Sequence, residues 1–268
     1  MDVKKVLFIS QEIAPYLDES PMSLWGRELL QGIKERGAEV RAFMPKYGYI
    51  NERRNQLHEV YRLTGMNIII NDTDHPLIIK TATLLPSRIS VFFIYNEDYF
   101  TPTMNKQLET ELSPADNDER SIFYVRSVIE ALCKQRWTPD IIQCSGWISA
   151  LIPLYMRELH PDDPSFRDAK IVYELWDDHF DTPWPDRLSD LLTQDGISAE
   201  SLADIQGRPV DYVSLTRLAL QHSDAIVQCS ANVKPEVLEL ARESGLPFLP
   251  YVADEDHVAS VAKFYETL

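Results

Sequence analysis

Trp176-Asp177-Asp178-His179-Phe180-Asp181 gathers, in six residues, oxygen ligands, an imidazole and two aromatic rings. Hard carboxylate oxygens of this kind suit a divalent cation, but the spacing fixes no coordination geometry, and no metal site is expected here. Asp72, Asp74 and His75, in Asn71-Asp72-Thr73-Asp74-His75-Pro76, offer similar groups. Asn and Asp bond their own backbone so readily that a polar turn is the expected reading. The cysteines Cys133, Cys144 and Cys229 are odd in number and widely spaced. They make neither a disulfide framework nor a zinc pattern, and read as reduced thiols. No Ser-His-Asp arrangement, P-loop or Gly-x-Gly-x-x-Gly occurs, and no cofactor is expected.

The elements that must position such residues follow from composition and pattern. The 268 residues carry 26 basic and 42 acidic side chains, so 26 − 42 gives a formal charge of −16. A nucleic-acid binder needs a basic face to displace counterions, and an anionic membrane surface repels this charge equally. Hydrophobic residues make up 44%, enough for a packed core and unlike a disordered chain. The apolar run near the N-terminus is too short for a signal peptide or a membrane span, so a soluble cytoplasmic protein is expected. Val6–Ser10 has the continuous apolar character of a strand buried on both faces. A helix over about Ser23–Arg36, closed by Gly37, and a strand at Glu39–Pro45 complete a βαβ unit. From His58 to Asn96, Leu77–Lys80 and Ile89–Ile94 read as strands with no helix between them, so hairpins are expected at the edge of the main sheet. A long helix from about Asp118 to Gln135 follows, then strand Asp140–Cys144 and a helix starting near Trp147. Next come strand Lys170–Leu175, a helix ending near Gln221, strand Asp224–Gln228, a helix at Lys234–Glu243, a short strand near Phe248–Val252 and a terminal helix from about Glu255. Asp162-Asp163-Pro164 and Asp177–Pro185 read as ordered loops. The fold class is α/β: a Rossmann-like open, mainly parallel sheet with an antiparallel hairpin extension. Ligands of such sheets sit outside the carboxyl ends of the strands, where strand order reverses.

Four stretches together resemble one family. They are Glu12-Ile13-Ala14-Pro15, Met44-Pro45-Lys46-Tyr47-Gly48, Asp116-Asn117-Asp118-Glu119-Arg120, and Trp137–Trp147 with Ala150-Leu151-Ile152-Pro153-Leu154-Tyr155. In order and spacing they resemble the N-terminal half of bacterial glycogen synthases and plant starch synthases, glycosyltransferase family 5. Ser223–Ser230 resembles that family's later strand and the serine that ends it. The resemblance covers roughly residues 3–240 and is similar to the short, free-standing bacterial versions. It implies one half of a GT-B fold, with residues 1–268 a single Rossmann-like domain and no C-terminal donor-binding domain. It also implies transfer of glucose from ADP-glucose to an α-1,4-glucan, with retention and without a metal.

The motifs depart from the family position by position. Where the family has a Lys-x-Gly-Gly-Leu loop for the donor diphosphate, this chain has Asp18-Glu19-Ser20-Pro21-Met22. The cation has become an anion, both glycines are lost, and Pro21 removes an amide donor. The family's His-x-His-Asp-Trp is matched by Gln143-Cys144-Ser145-Gly146-Trp147, which keeps only the tryptophan, and its later His-Asn by Leu175-Trp176. The resemblance places Asp116 near a donor sugar, but Asp116 or Asn117 equally suits the N-cap of the long helix. Candidate substrate-binding residues are Glu12, Tyr16, Asp116, Gln143, Ser145, Trp147 and Trp176, carboxylates and amides for hydroxyls and indoles for a sugar face; no residue is assigned a catalytic role. The expected partner is an α-1,4-glucan or maltooligosaccharide, bound weakly, with a possible donor-domain subunit and neither nucleic acid nor membrane. The favoured function is a glucan-binding or regulatory half-enzyme. The alternatives are a glucosyltransferase completed by a separate donor-domain subunit, and a scaffold turned to an unrelated small molecule.

Overall fold

The computed structural model describes residues 3–101, 115–253 and 256–268. Among the described residues ten strands carry the fold: β1 (Lys5–Ser10), β2 (Glu39–Pro45), β3 (His58–Glu59), β4 (Met66–Ile70), β5 (Thr73–Leu84), β6 (Ile89–Tyr95), β7 (Ile141–Ser145), β8 (Lys170–Leu175), β9 (Ala225–Gln228) and β10 (Phe248–Leu249). Their order is β10-β9-β8-β7-β1-β2-β6-β5-β3, with β4 paired to β5. Pairings from β10 across to β6 are parallel, and those of β5 with β3, β4 and β6 are antiparallel. The expected hairpin extension is therefore present at one edge of a mainly parallel sheet.

The burial pattern explains the division. β1, β7 and β8 are buried at nearly every position, as strands covered on both faces must be. β4 alternates between exposed and buried, as a strand covered on one face does. Asn71 and Asp72 join β4 to β5 with φ of 49° and 59°, left-handed values that a two-residue hairpin demands and that Asn and Asp tolerate. The cluster Asp72, Asp74, His75 is thus a turn and the start of a strand; His75 turns inward to the Tyr99 hydroxyl at 3.1 Å.

Among the described residues eight α-helices pack on the sheet: α1 (Pro21–Glu35), α2 (Glu97–Phe100), α3 (Asn117–Gln135), α4 (Ile152–Glu158), α5 (Leu188–Gln194), α6 (Tyr212–Gln221), α7 (Pro235–Glu243) and α8 (His257–Tyr265). Three differ from the sequence reading, the four-residue α2 among them because a single turn leaves no periodic pattern. The helix expected from Trp147 is one 3-10 turn, Trp147–Ser149, and α4 begins only at Ile152, where Pro153 suits the first turn. The short helix α5 has no counterpart in the sequence reading, because its seven residues are too few for an apolar periodicity to develop. The terminal helix lies against α1. There the His257 ring stacks on Trp25 at 4.2 Å, and Tyr265 reaches the core. No helix among the described residues is long and apolar enough to cross a membrane.

Candidate functional site

Strand order reverses between β1 and β7, and a cavity of about 600 Å³ opens at that point. β1 leads into Gln11 and Glu12, α1 brings Ser20, Pro21 and Met22 with its first turn, and α3 brings Asn117. The turn after β7 adds Trp147, the loop after β8 adds Trp176 through Thr182, and the segment after β9 adds Ser230 and Asn232. Among the described residues that line the cavity, Glu12, Asp177, Asp178 and Asp181 supply four carboxylates, and none is a lysine or arginine. The His179 imidazole sits between two of those carboxylates, 3.5 Å from Asp177 and 3.8 Å from Asp181. Among the described residues no group of three His, Cys, Asp or Glu side chains is arranged to hold a metal ion.

The innermost wall is fixed through the backbone. The Gln11 N–H donates to the Ser145 carbonyl at 3.0 Å, and the Tyr47 hydroxyl donates to the Gln11 carbonyl at 3.2 Å. The Gln11 side chain lies across Gly146, where an added Cβ would stand 2.5 Å from the Gln11 Cβ. Gly146 itself has φ +83° and ψ 156°, a conformation open essentially to glycine alone. Gln11 is 4% exposed, and its Oε1 has no hydrogen-bond partner among the described residues.

Glu12 is 9% exposed and accepts a hydrogen bond from the Ser20 hydroxyl. Ser20 also caps α1: its Oγ accepts from the Ser23 N–H at 3.0 Å, while Ser23 Oγ accepts from the Ser20 N–H at 2.9 Å. This reciprocal box, with Pro21 at the first turn, closes the helix N-terminus from within. Opposite, Asp178 accepts from the Trp147 N–H at 3.0 Å and from the Tyr212 hydroxyl at 2.6 Å. Burial pushes its carboxyl up from 3.8 to about 6; these two hydrogen bonds oppose the rise and the Glu12 charge adds to it.

Of the residues named from sequence, Glu12, Trp147 and Trp176 line the cavity. Both indoles are buried, Trp147 edge-on to Trp184 at 5.6 Å and Trp176 edge-on to Trp25 at 5.8 Å. They build the wall and leave little open face for stacking. Gln143 and Ser145 do not line the cavity, which corrects the expectation that they meet a sugar hydroxyl. The buried Glu174 carboxylate draws them inward: Gln143 donates to it, as do Trp25 at 3.1 Å and Trp176 at 2.7 Å. Tyr265 donates to the Gln143 oxygen, and Ser145 Oγ accepts from the Trp176 indole at 3.1 Å. A buried carboxylate needs donors of this kind. Asp116 occupies the N-cap position of α3, makes no side-chain capping bond and pairs with Arg120 at 3.2 Å. Tyr16 packs edge-on to Phe93 at 4.9 Å, burial raises its phenol to about 12, and it borders a separate groove with Arg54 and His58.

Gln11 and Glu174 are not named in the sequence reading, while Ser20 and Asp178 enter it only within the loop Asp18–Met22 and the cluster Trp176–Asp181, not as substrate-binding candidates. Gln11 carried a positional signal, standing directly after the strand at the switch point. Glu174 carried none, lying inside an otherwise apolar strand.

The match to known proteins follows the same outline. Residues 5–248 match the model of the starch synthase catalytic domain. A glycogen synthase of Pelodictyon phaeoclathratiforme is 30% identical over 236 residues, 87% of this chain and 47% of that protein. A glycogen synthase of Chlorobium phaeobacteroides is 35% identical over 175 residues, 64% of this chain and 35% of that protein. The chain thus spans about half the length, or less, of these relatives. The catalytic domain of starch synthase IV from Arabidopsis thaliana, bound to ADP and acarbose, superposes with a TM-score of 0.71 at 15% identity, over 93% of this chain and 51% of that one. That likeness establishes the fold, half of a GT-B architecture. The chain belongs to the starch synthase catalytic domain family and is a glycogen/starch synthase-like glycosyltransferase domain.

Proposed function

We propose that this domain is a cytoplasmic glucan-binding pseudoenzyme, which holds an α-1,4-glucan in the cavity at the switch point and does not by itself transfer glucose from ADP-glucose. The observation that carries the reading is the cavity's charge. Among the described residues four carboxylates line it and no lysine or arginine does, so a nucleotide diphosphate meets repulsion from these groups while a neutral glucan meets hydrogen-bond acceptors. The helix N-terminus that would otherwise offer amide donors to a phosphate is closed by Ser20 and Ser23, with Glu12 beside it. Purified protein incubated with labelled ADP-glucose and glycogen is expected to incorporate no label. Turnover near the common enzyme scale of about 10 per second, with contaminating synthase excluded, would overturn the reading.

Membership in the starch synthase catalytic domain family favours one second reading, a glucosyltransferase completed by a separate donor-domain subunit. Copurification with such a protein, together with turnover in the mixture alone, would establish it.

A further inference from the structure

The terminal helix α8 reaches one buried carboxylate from both of its ends. In its first turn the His257 ring stacks on Trp25 at 4.2 Å, and the Trp25 indole donates to Glu174 at 3.1 Å. In its last turn the Tyr265 hydroxyl donates to the Gln143 oxygen, and the Gln143 amide nitrogen donates to Glu174. Glu174 is 2% exposed, and its other oxygen accepts from the Trp176 indole at 2.7 Å. Trp176 lines the cavity, whereas no residue of α8 is among the described lining residues. The approach of α8 is built into α1: a Cβ at Gly32 would stand 2.3 Å from Val258 Cγ1, so only the bare glycine lets the two helices meet. The helix also lies beyond residues 5–248, which match the family. The amide in the middle of this relay is two-sided, with an oxygen that only accepts and a nitrogen that only donates. While Tyr265 holds the oxygen, the nitrogen faces Glu174. Without that hydroxyl the amide can turn over and present its oxygen to the carboxylate, which removes a donor from a buried charge. Bonds in such a network support one another, so the loss spreads to the bond that anchors Trp176.

We infer that Tyr265 is a positioning residue of the cavity: through Gln143 and Glu174 it fixes the Trp176 indole in the wall, so that α8 sets saccharide affinity without touching the saccharide. The inference rests on the glucan reading above for its ligand and adds the residue that holds the wall in place.

Tyr265→Phe keeps the ring and removes the hydroxyl. Calorimetric titration with maltotriose and an NMR spectrum of the indole N–H groups, both on the whole chain, test it. The Trp176 indole signal, assigned by its loss in Trp176→Phe, is expected to move, while that of Trp184, outside the relay, stays. Maltotriose affinity is expected to fall about fivefold. Val258→Ala loosens the packing of α8 on α1 and leaves the hydrogen bonds intact. It is expected to change that affinity by less than about twofold and to leave the Trp176 signal in place. If Tyr265→Phe fails to fold, Gln143→Met, which cuts the relay one step nearer Glu174, should move the same signal and weaken maltotriose to the same extent. An unmoved Trp176 signal, or an unchanged affinity where the parent binds maltotriose, would overturn the inference. So would an equal loss in Val258→Ala, because α8 would then be a general support. If the parent shows no saturable response to maltotriose, the glucan reading falls, and with it the affinity that α8 is to set; the Trp176 signal still decides whether the relay exists.

Discussion

Two helices open onto the same cavity and close their N-termini in opposite ways. At α1 the closure is uncharged: Ser20 and Ser23 cap each other, and the Ser20 hydroxyl leans on Glu12. At α3 the closure is ionic. Arg120 donates to the Tyr99 carbonyl at 2.9 Å, to the Asn117 side chain and to Asp116, while Arg187 pairs with the fully buried Asp118 at 2.7 Å and with Glu119 at 3.2 Å. Both arginines are engaged by carboxylates of α3, so neither is offered to a ligand. The comparison teaches where the cavity's character comes from. On the α3 side Arg120 and Arg187 offset most of the charge of Asp116, Asp118 and Glu119, whereas on the side of β1 and β8 Glu12 and Asp178 face the cavity with no lysine or arginine among the described lining residues.

The largest effect is expected from putting back the family's aspartate at Gly146. Its backbone conformation is essentially closed to other residues, and the Gln11 side chain fills the space a Cβ needs. Gly146→Asp should cost about 3 kcal/mol or more in chemical denaturation; an unchanged midpoint would show that Gln11 and Gly146 do not constrain each other. On the α3 side, Arg120 is 3% exposed, and Arg120→Met strands Asp116 and the Tyr99 carbonyl. A loss of about 3 kcal/mol is expected, against little loss if water replaces the guanidinium.

Asp178 should act in the other direction. With its folded-state carboxyl raised from 3.8 to about 6, the folded chain binds more protons than the unfolded one between those values. Its contribution to stability is complete below about pH 4 and is lost as pH rises through about 6. A rise of about two pH units at about 1.4 kcal/mol each makes Asp178→Asn more stable than the parent by on the order of 2 kcal/mol at pH 7.5, with no difference below about pH 4. Equal stability at both pH values would mean that the carboxylate is well solvated. The smallest effect belongs to the cap: Ser20→Ala should cost about 1 kcal/mol and leave the pH dependence of Asp178 in place.

The parallel strands were readable in the sequence because burial on both faces writes a continuous apolar run, as in Val6–Ser10. The hairpin region was readable from its lack of helical stretches, although the full length of β5 was not, because Thr73–His75 has no apolar alternation. The site was readable only in part. Position after a strand found Glu12, Trp147 and Trp176. The sequence carried no sign that Gln143 and Ser145 turn inward, since that depends on Glu174 and Tyr265, 31 and 122 residues from Gln143 along the chain. The fate of Gln11 likewise follows from the backbone of Gly146, which no local pattern records.

The charge of the described lining predicts that the cavity accepts a neutral glucan and rejects a nucleotide diphosphate. Titrating the whole chain with maltotriose and with ADP-glucose, by calorimetry or NMR, tests it most directly. The charge distribution predicts saturable maltooligosaccharide binding near the millimolar level, about 4 kcal/mol, with ADP-glucose weaker still. Tight ADP-glucose binding with no saturable response to maltotriose would contradict it.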